Sequence, residues 1–180
     1  MEISKVVMGR RSVRKYQDRT IPDSEVDCLI DLARHAPSSL NGQPWHFVIV
    51  KNDKTKGALV EIKNRFCPPE KRAYRADFLL QAPLIVVVCV EKNRSFGREI
   101  ENGILAASFV MLGAYNRGLA TVYLSAYASD EPKLSESIRK VLGIPEGFAP
   151  ISILPLGYPD EIPPPKELRP LKEIIHFDQF

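Results

Sequence analysis

A long segment in the middle of the chain, uncharged from residue 102 to residue 116, restricts how the rest can fold. Residues 98–118, REIENGILAASFVMLGAYNRG, are long enough for a helix of about five turns, and Gly118 is placed to end it. From residue 103 to residue 114 apolar side chains would lie nearly all round that helix, which is typical of a helix buried in the centre of a domain. Small residues along it should let another helix approach closely: Gly103, Ala106, Ala107, Gly113 and Ala114.

Four segments have the composition of β-strands. WHFVIV (45–50) and PLIVVVCV (83–90) are β-branched and apolar almost throughout, which predicts strands covered on both faces. LATVYLSAY (119–127) predicts a strand running into a loop. PISILPLGYP (150–159) predicts a strand that Pro155 interrupts, because proline cannot donate to a sheet ladder.

Helical periodicity covers five further segments, residues 2–9, 23–36, 53–66, 70–81 and 131–143. In the second of these, one face carries Val26, Leu29, Ile30 and Ala33. Asp23 or Ser24 is available as its N-cap, and Pro37 stops it because proline disfavours helical geometry at the preceding residue. The last segment has Pro132 in its first turn and Gly143 past its end, as helices prefer.

Length and charge exclude several classes of protein. A chain of 180 residues suits a single domain spanning residues 1–180. The net charge of +3 argues against a general nucleic-acid-binding protein. Apolar runs fall short of the roughly 20 residues that span a bilayer, and the start of the chain lacks a signal-peptide pattern, so no membrane association is expected. Three cysteines without CxxC spacing predict no metal cluster or disulfide framework and favour a reducing cytoplasm.

A basic cluster follows the first helix. GRRSVRKY (9–16) holds Arg10, Arg11, Arg14 and Lys15 within six positions, with Ser12 among them. Such a cluster is either a solvated surface loop or a site for an anion. The chain has neither a G-x-G-x-x-G nor a G-x-x-x-x-G-K-[ST] motif, so a bound phosphate would have to be held by side chains.

A second basic stretch and a proline-rich end complete the pattern. The stretch contains Arg65, Lys71, Arg72 and Arg75; helix-surface charge explains it, and a grip on the 2′-phosphate of NADPH is the alternative. Eight of the fifteen prolines lie between positions 145 and 170, which predicts an extended arm over about residues 160–180. Ile174 and Ile175 in that arm need burial, and a second copy of the chain could provide it.

Three segments in register resemble the FMN-dependent nitroreductase family: RRSVRKY after the first helix, APSSLNGQPWHFVIV (36–50), and the closing LPLGYPDE…PPPKELRPLKEIIH. The resemblance covers nearly the whole chain. It implies an α+β, three-layer fold in which helices flank a central mixed, mostly antiparallel sheet. It also implies a homodimer that exchanges extended C-terminal arms and binds two FMN molecules at the subunit interface.

The resemblance also implies which residues bind the flavin. Arg10 and Ser12 match the positions that hold the phosphate and ribityl chain, with Arg11 in the same shell. Arg14 matches the position whose cation approaches the pyrimidine edge of the ring and favours the reduced, anionic flavin. Residues from the other subunit would line the ring and ribityl chain: Pro37, Ser38, Ser39 and Asn41, with Gln43 nearby.

Two more groups of residues are implied. Backbone N–H groups of the loop after the long helix would hydrogen-bond the flavin N5, at positions matching Leu124, Ser125 and Ala126. The family's Lys-x-Arg-x-Pro pattern corresponds to KELRP (166–170), where Lys166 matches and Arg169 lies one residue late. Arg169 is therefore either a phosphate ligand or half of a solvated charge pair.

The activity implied is that of an FMN-dependent oxidoreductase. NADH or NADPH would reduce FMN at N5, and a nitroaromatic, a quinone or another flat small molecule would then take two electrons from the same open face. No side chain needs to act as nucleophile or general base, so no catalytic residue and no metal ligand is named. Trp45 and Phe47 are expected in the core, and His46 is expected to be a structural histidine.

Three alternatives stay open. The same fold could carry out reductive dehalogenation or flavin cleavage, although such relatives typically need insertions or lid segments for which this short chain has little room. A flavoprotein that only stores FMN is the second alternative. The third is a non-catalytic polyanion-binding protein that uses Arg10–Lys15; the small net charge and the lack of interleaved aromatic residues argue against it.

Overall fold

The computed structural model describes residues 1–68, 70 and 75–180 of the chain. The helix expected over 70–81 falls partly outside these residues, as do Lys71 and Arg72 of the second basic stretch. The described part of that segment contains a short 3₁₀ helix, Ala76–Leu80, in place of an α-helix.

Five α-helices occur in the described ranges, and each matches an expected segment. They are α1 (Ile3–Gly9), α2 (Asp23–Ala33), α3 (Asp53–Arg65), α4 (Glu99–Asn116) and α5 (Pro132–Leu142). Gly118 after α4 has a φ of 73° and Gly143 after α5 has a φ of 63°. Glycine adopts this left-handed geometry without strain, so both expected helix ends are confirmed.

The start of α2 differs from the expectation. Its N-cap is Pro22 and Asp23 is already helical, so neither Asp23 nor Ser24 caps the helix through its side chain. The carboxylate of Asp23 lies in the first turn instead, where it interacts favourably with the positive end of the helix dipole.

Five strands form one sheet: β1 (Trp45–Val50), β2 (Leu84–Glu91), β3 (Ala120–Thr121), β4 (Leu124–Ser125) and β5 (Phe148–Gly157). Their order is β1-β2-β5-β3, and β4 pairs with β5 beside β3. All of the described strand pairs are antiparallel. A mixed sheet is expected to contain some parallel pairing. Among the described residues, parallel pairing is limited to an isolated bridge between Ser12 and Thr121.

Different helices cover the two faces of the sheet, which confirms the three layers. α2 and α4 pack on one face, in a core that contains Val86 and Leu154. α3 and α5 pack on the other face, in a core that contains Val87 and Ile153. Neighbouring residues of β2 and β5 therefore point into opposite cores, as the period of two in a strand requires.

β5 runs through Pro155 without interruption, contrary to the expectation. Pro155 lies opposite Ile85 of β2 on one side. On its other side it lies opposite the gap between β3, which ends at Thr121, and β4, which begins at Leu124. No strand neighbour requires the missing N–H at that position, so the proline is tolerated.

β1 is less covered than its composition predicts. β2 is buried along almost its whole length, as expected of a central strand. β1 is an edge strand in this chain, with His46 exposed and Phe47, Val48 and Ile49 only partly buried. The two strands have similar sequences, so their position in the sheet, and not their composition, decides the difference.

The small residues of α4 allow close packing on two sides. A Cβ at Gly103 would lie 2.5 Å from Cγ1 of Ile151 in β5, and a Cβ at Gly113 would lie 3.1 Å from Cδ1 of Leu32 in α2. The helix is not buried all round, however, because the sheet and α2 cover only part of its circumference. Three apolar side chains stay exposed, namely Ile100 (41%), Ile104 (37%) and Leu105 (37%).

Residues 160–180 form an arm without regular strand or α-helix. Its only described element is a 3₁₀ turn, Leu171–Glu173. Ile162 is 98% exposed, and Ile174 and Ile175 are about half exposed. A single chain therefore does not bury the isoleucine pair, and burial by a second copy stays a prediction. Among the helices of the described residues, none is both long and apolar enough to cross a bilayer.

Candidate functional site

The basic segment after α1 is held against the edge of the sheet. Ser12 forms the bridge to Thr121, and the Val13 amide donates to the Thr121 carbonyl at 3.3 Å. Further along, the Gln17 amide donates to the Tyr158 carbonyl at 2.9 Å, just past the end of β5. The sheet thereby fixes the direction in which the intervening side chains point.

Glu161, at the start of the arm, crosses over this segment. One of its carboxylate oxygens accepts from the Arg14 amide at 2.5 Å and from the Lys15 amide at 3.2 Å. The contact ties the arm to the basic segment and places a negative charge among its cations. The sequence offers no signal for it, because the partners are about 147 positions apart.

Arg10 and Arg11 differ in their surroundings. Arg10 is half-buried directly after α1. NH1 of Arg11 donates to the Met8 carbonyl at 2.7 Å and to the Arg10 carbonyl at 3.0 Å. Arg11 therefore uses part of its donor capacity to satisfy carbonyls at the end of α1.

The Arg14 side chain lines a cavity of about 480 Å³, which we call the Arg14 cavity. Its guanidinium lies 5.9 Å from the centre of the Phe78 ring, a cation–π distance. Lys63 contributes a second cation, and the described residues of the lining include no carboxylate. The cavity is thus positively charged and lined with aromatic rings: Phe66, Phe78, Tyr123 and Tyr127.

The same cavity reaches Leu124 and Ser125 of β4, so one chain brings Arg14 together with the segment expected at N5. The Ala126 amide donates to the Ile151 carbonyl at 3.0 Å. Because N–H groups alternate along an antiparallel strand, the amide of Leu124, opposite Ile153, also points toward β5. The N–H of Ser125 points away from β5, and of the three expected donors it is the one directed away from the sheet.

Ser125 is held by further contacts. Its hydroxyl donates to the Tyr127 carbonyl at 2.5 Å and accepts from the Tyr127 amide at 3.2 Å. Its carbonyl accepts from Nζ of Lys63 in α3 at 2.7 Å. Beside it, burial raises the pKa of Tyr123 to about 12, with the neighbouring Tyr127 adding to the effect, so the Tyr123 phenol stays protonated at neutral pH.

The loop before β1 has a strained backbone. Leu40, Asn41 and Gln43 have φ values of 48°, 53° and 47°, in the left-handed region that non-glycine residues rarely occupy. The Ser38 hydroxyl accepts from the Gln43 amide at 3.0 Å, and Oδ1 of Asn41 accepts from Nε2 of Gln43 at 3.1 Å. Strain of this kind persists where surrounding contacts maintain it and is common at binding sites.

Asn102 of α4 holds the loop in place. It is 1% exposed; its Oδ1 accepts from the Ser39 amide at 3.0 Å and its Nδ2 donates to the Ser95 carbonyl at 3.2 Å. We did not single out this residue from the sequence. A lone amide among the apolar residues of ENGILAA was a usable signal, because a buried amide needs hydrogen-bond partners.

The loop and the Arg14 cavity lie on opposite faces of the sheet. The cavity is lined by Lys63 of α3 and Leu134 of α5, whereas the loop is bonded to Asn102 of α4. The strand order also separates β1 from β4 by three strand spacings, about 14 Å. One small ligand therefore cannot contact Ser39 and Ser125 of the same chain.

Comparison with known proteins decides the family. Residues 7–158 match the sequence model of the Nitroreductase family. The chain belongs to the nitroreductase family. The match includes the basic segment, the loop before β1 and β4, and it ends before the arm.

Relatives support this placement along nearly the whole chain. A provisionally named NADH dehydrogenase/NAD(P)H nitroreductase from Methanothermobacter thermautotrophicus is 33% identical over 170 residues, which cover 93% of this chain and 83% of that protein. An iodotyrosine deiodinase from Thermotoga neapolitana is 28% identical over 181 residues, which cover 92% and 91%. An FMN-dependent nitroreductase structure from Clostridium difficile matches with a TM-score of 0.83 at 26% identity, over 98% and 99% of the two chains. The expected fold and the oxidoreductase class are confirmed.

In this nitroreductase-family chain the arm does not bring its cations to the Arg14 cavity. Lys166 is exposed. Arg169 forms an ion pair with Glu173, Nε to Oε2 at 3.4 Å, and its NH2 donates to the Glu173 carbonyl at 3.3 Å. Within one chain Arg169 is thus half of a solvated charge pair, one of the two expected alternatives. Its role as a phosphate ligand stays a prediction.

The remaining candidates have structural roles. Arg75 forms an ion pair with Asp77 at 2.6 Å, and its hydrogen bond lowers the pKa of that carboxyl. Trp45 is buried and Phe47 packs against the same core, as expected. His46 is exposed and contacts the Phe148 ring edge-on at 4.9 Å between ring centres. It lies at the sheet edge and not in the interior.

Proposed function

We propose that two copies of this chain form an FMN-dependent oxidoreductase that transfers two electrons from NADH or NADPH to nitroaromatics, quinones or similar flat acceptors. The observation that carries the proposal is the Arg14 cavity, where a fixed cation, aromatic rings and an outward-facing backbone N–H meet in one chain. The names of the relatives, an NAD(P)H nitroreductase and an FMN-dependent nitroreductase, point to the same chemistry.

The residues present fit FMN. Arg10 and Ser12 are fixed by α1 and by the bridge to Thr121, where they can give charge-assisted hydrogen bonds to a phosphate. The Arg14 cavity offers aromatic rings for a flat ring system and no described carboxylate to repel an anion. When bound, FMN supplies the carrier for hydride and for the two electrons.

The chain's own groups would then hold and tune that carrier. The guanidinium of Arg14 would face the edge of the ring where negative charge gathers on reduction, which stabilises the reduced form. The N–H of Ser125 would hydrogen-bond the ring at N5. The phenol of Tyr123 would be a protonated donor beside them, and its pKa of about 12, raised by burial, would keep it so in alkaline solution as well.

The positions of the two half-sites support a dimer. Pro37, Ser38, Ser39, Asn41 and Gln43 are expected at the flavin, yet their loop lies on the opposite face from the Arg14 cavity. A second chain can place its own loop over the cavity of the first. The exposed apolar side chains of α4 and of the arm provide surface for such an interface.

Purification in the presence of FMN tests the proposal. We expect a yellow dimer with one flavin per chain, bleached anaerobically by NADH or NADPH and reoxidised by a nitroaromatic or a quinone. A colourless protein under excess FMN would contradict it. A yellow protein that neither nicotinamide reduces would favour storage of FMN or another electron donor.

Reductive dehalogenation is the second candidate, favoured by the similarity to the iodotyrosine deiodinase. That relative is matched over 91% of its own length, so the shortness of this chain does not separate the two activities. The dithionite-reduced protein should be mixed anaerobically with iodotyrosine or with a nitroaromatic. Release of iodide at a rate above that of nitro reduction would favour the second candidate.

A further inference from the structure

Lys63 is a contact of the Arg14 cavity that the sequence analysis did not assign. It lies two residues before the end of α3, is half-buried, and lines the cavity together with Arg14. Its Nζ donates to the carbonyl of Ser125 at 2.7 Å. This bond joins a helix of one layer to the strand whose N–H would contact the flavin.

The geometry of β4 makes this bond consequential. In a strand, the N–H and the C=O of one residue point to the same side. Since Ala126 donates to Ile151 of β5, both groups of Ser125 point away from the sheet. The Ser125 carbonyl and the Ser125 N–H belong to adjacent peptide groups that meet at the Ser125 Cα. A cation that holds the carbonyl therefore restrains the backbone at Ser125, and through it the neighbouring N–H.

The charge of Lys63 matters as well. Without a partner, the carbonyl of Ser125 would present the negative end of its dipole near the ring, which disfavours added negative charge. With Lys63 bound, the carbonyl is compensated and the cavity has two cations. A charge-assisted hydrogen bond is shorter and stronger than a neutral one, so the arrangement is rigid.

We propose that Lys63 is a positioning residue of the flavin site, which restrains the backbone at Ser125 and adds a second positive charge that favours the reduced flavin. The proposal rests on the function proposed above, since it needs a flavin in the Arg14 cavity. Binding of FMN to the wild-type protein is therefore measured first, and its absence would contradict that function before Lys63 is tested.

Lys63→Met is the main variant, because methionine keeps much of the side-chain length and removes the charge. We expect the ratio of reduced to oxidised bound flavin at a fixed solution potential to fall about tenfold, a shift of about 30 mV for two electrons. The Kd for FMN should rise severalfold. Lys63→Arg should restore most of both values, since it keeps a cationic donor.

Lys54→Met is the matched control, because it removes an exposed positive charge from the same helix. It should leave the potential and the Kd unchanged. If Lys63→Met is isolated unfolded, Lys63→Gln replaces it, with the same expected direction and a smaller shift.

Three results would overturn the proposal. One is a Lys63→Met protein with wild-type potential and Kd; another is a protein that differs only in melting temperature, as a purely structural lysine would. The third is a potential shift that Lys63→Arg does not rescue, because the charge would then not be its cause. In each case a yellow wild-type protein reduced by NAD(P)H would leave the proposed function intact.

Discussion

Arg14 differs from the other cations of the basic segment in its contacts. Its amide is bound by Glu161, and its guanidinium stands over the Phe78 ring at the mouth of the cavity. Lys15, the next residue, is equally exposed but does not line the cavity. Position and not net charge therefore distinguishes the two neighbouring cations.

We predict that Arg14→Ala keeps part of its FMN binding while the reduction potential of the bound flavin falls. In the proposed site the cation facing the reduced ring would be lost, whereas the phosphate contacts proposed for Arg10 and Ser12 would remain. Redox titration of the purified protein measures the shift. Lys15→Ala is the control and should match the wild type; an unchanged potential in Arg14→Ala would refute the role of Arg14.

A second prediction concerns Asn102. Asn102→Ala would leave the Ser39 amide without its partner and would remove one of the two donors to the Ser95 carbonyl, which keeps the Arg98 amide. We expect this to cost about 1–3 kcal/mol of stability. The strained loop should also relax and FMN should bind more weakly. Urea unfolding and flavin fluorescence measure the two effects. Asn116→Ala at the end of α4 is the control, because the hydrogen bond that it removes, from the N-terminal ammonium to Oδ1 of Asn116, is exposed.

Contacts made by single residues differ in how far the sequence reveals them. A lone Asn in an apolar helix marks Asn102 as needing partners. Lys63 resembles any other lysine on the surface of α3, and Glu161 any other acid in a loop. Lys63 contacts Ser125, and Glu161 contacts Arg14. Both pairs are far apart in the sequence and come together only in the tertiary fold.

Among helices and strands, the packing of α4 on β5 depends on a missing side chain. Gly103→Ala would place a Cβ 2.5 Å from Cγ1 of the buried, β-branched Ile151. We predict a loss of about 1–3 kcal/mol of stability from this overpacking. Gly57→Ala in α3 meets nothing within 4 Å and should instead stabilise the protein by about 0.5–1 kcal/mol. Urea unfolding of both variants gives the comparison; equal effects would refute it.

An ion pair joins the start of α2 to the end of α4. NH2 of Arg117 donates to Oε1 of Glu25 at 2.8 Å, and Nε of Arg117 donates to the other carboxylate oxygen. This hydrogen bonding lowers the pKa of Glu25 from its ordinary value of 4.5. A carboxyl with a lowered folded pKa contributes stability above its unfolded value and loses that contribution as the pH falls through the folded pKa.

We therefore predict that Glu25→Gln lowers the melting temperature at about pH 7 and that the difference from wild type shrinks below about pH 4.5. Thermal unfolding followed by circular dichroism at several pH values checks this. Asp31→Asn, which breaks an exposed pair with Arg34 at the end of α2, is the control and should show a smaller effect. A difference that grows in acid would contradict the assignment.

The same elements show what sequence patterns can and cannot predict. The helices were predictable because glycine at 118 and 143 and proline at 132 act locally. The path of β5 through Pro155 was not, since it depends on a gap between two other strands. The partial exposure of β1 was not predictable either, because composition does not tell an edge strand from a central one.

At the scale of the whole molecule, the chain exposes more large apolar side chains than is usual for a soluble monomer. α1 exposes Ile3, Val7 and Met8 by 56–74%, α4 adds its own stripe, and the arm ends in Phe180, fully exposed. Isolated exposed hydrophobic residues are normal, but a set spread over two helices and the chain end is typical of an interface. The fold of one chain was predictable from its sequence. The homodimer implied by the resemblance stays a prediction, and the opposite faces on which the basic segment's cavity and the loop lie support it.

The last prediction tests that pairing directly. Arg10→Glu should repel the phosphate at the half-site of its own chain. Ser39→Glu should place a bulky charge against the ring and ribityl chain, in the loop that its chain offers to the partner. In a homodimer of either variant, each of the two FMN sites has one damaged half and one intact half. Both should therefore bind FMN poorly while staying folded and dimeric, which melting and light scattering verify.

A mixed dimer distinguishes a shared site from a site built within one chain. If each flavin is held by the basic segment of one chain and the loop of the other, the mixed dimer has one site with both halves damaged and one with neither. Two differently tagged chains, co-expressed and purified through both tags, should then bind about one FMN per dimer, by flavin absorbance. If each site lay within a single chain, both sites of the mixed dimer would be damaged, and the same preparation would be colourless.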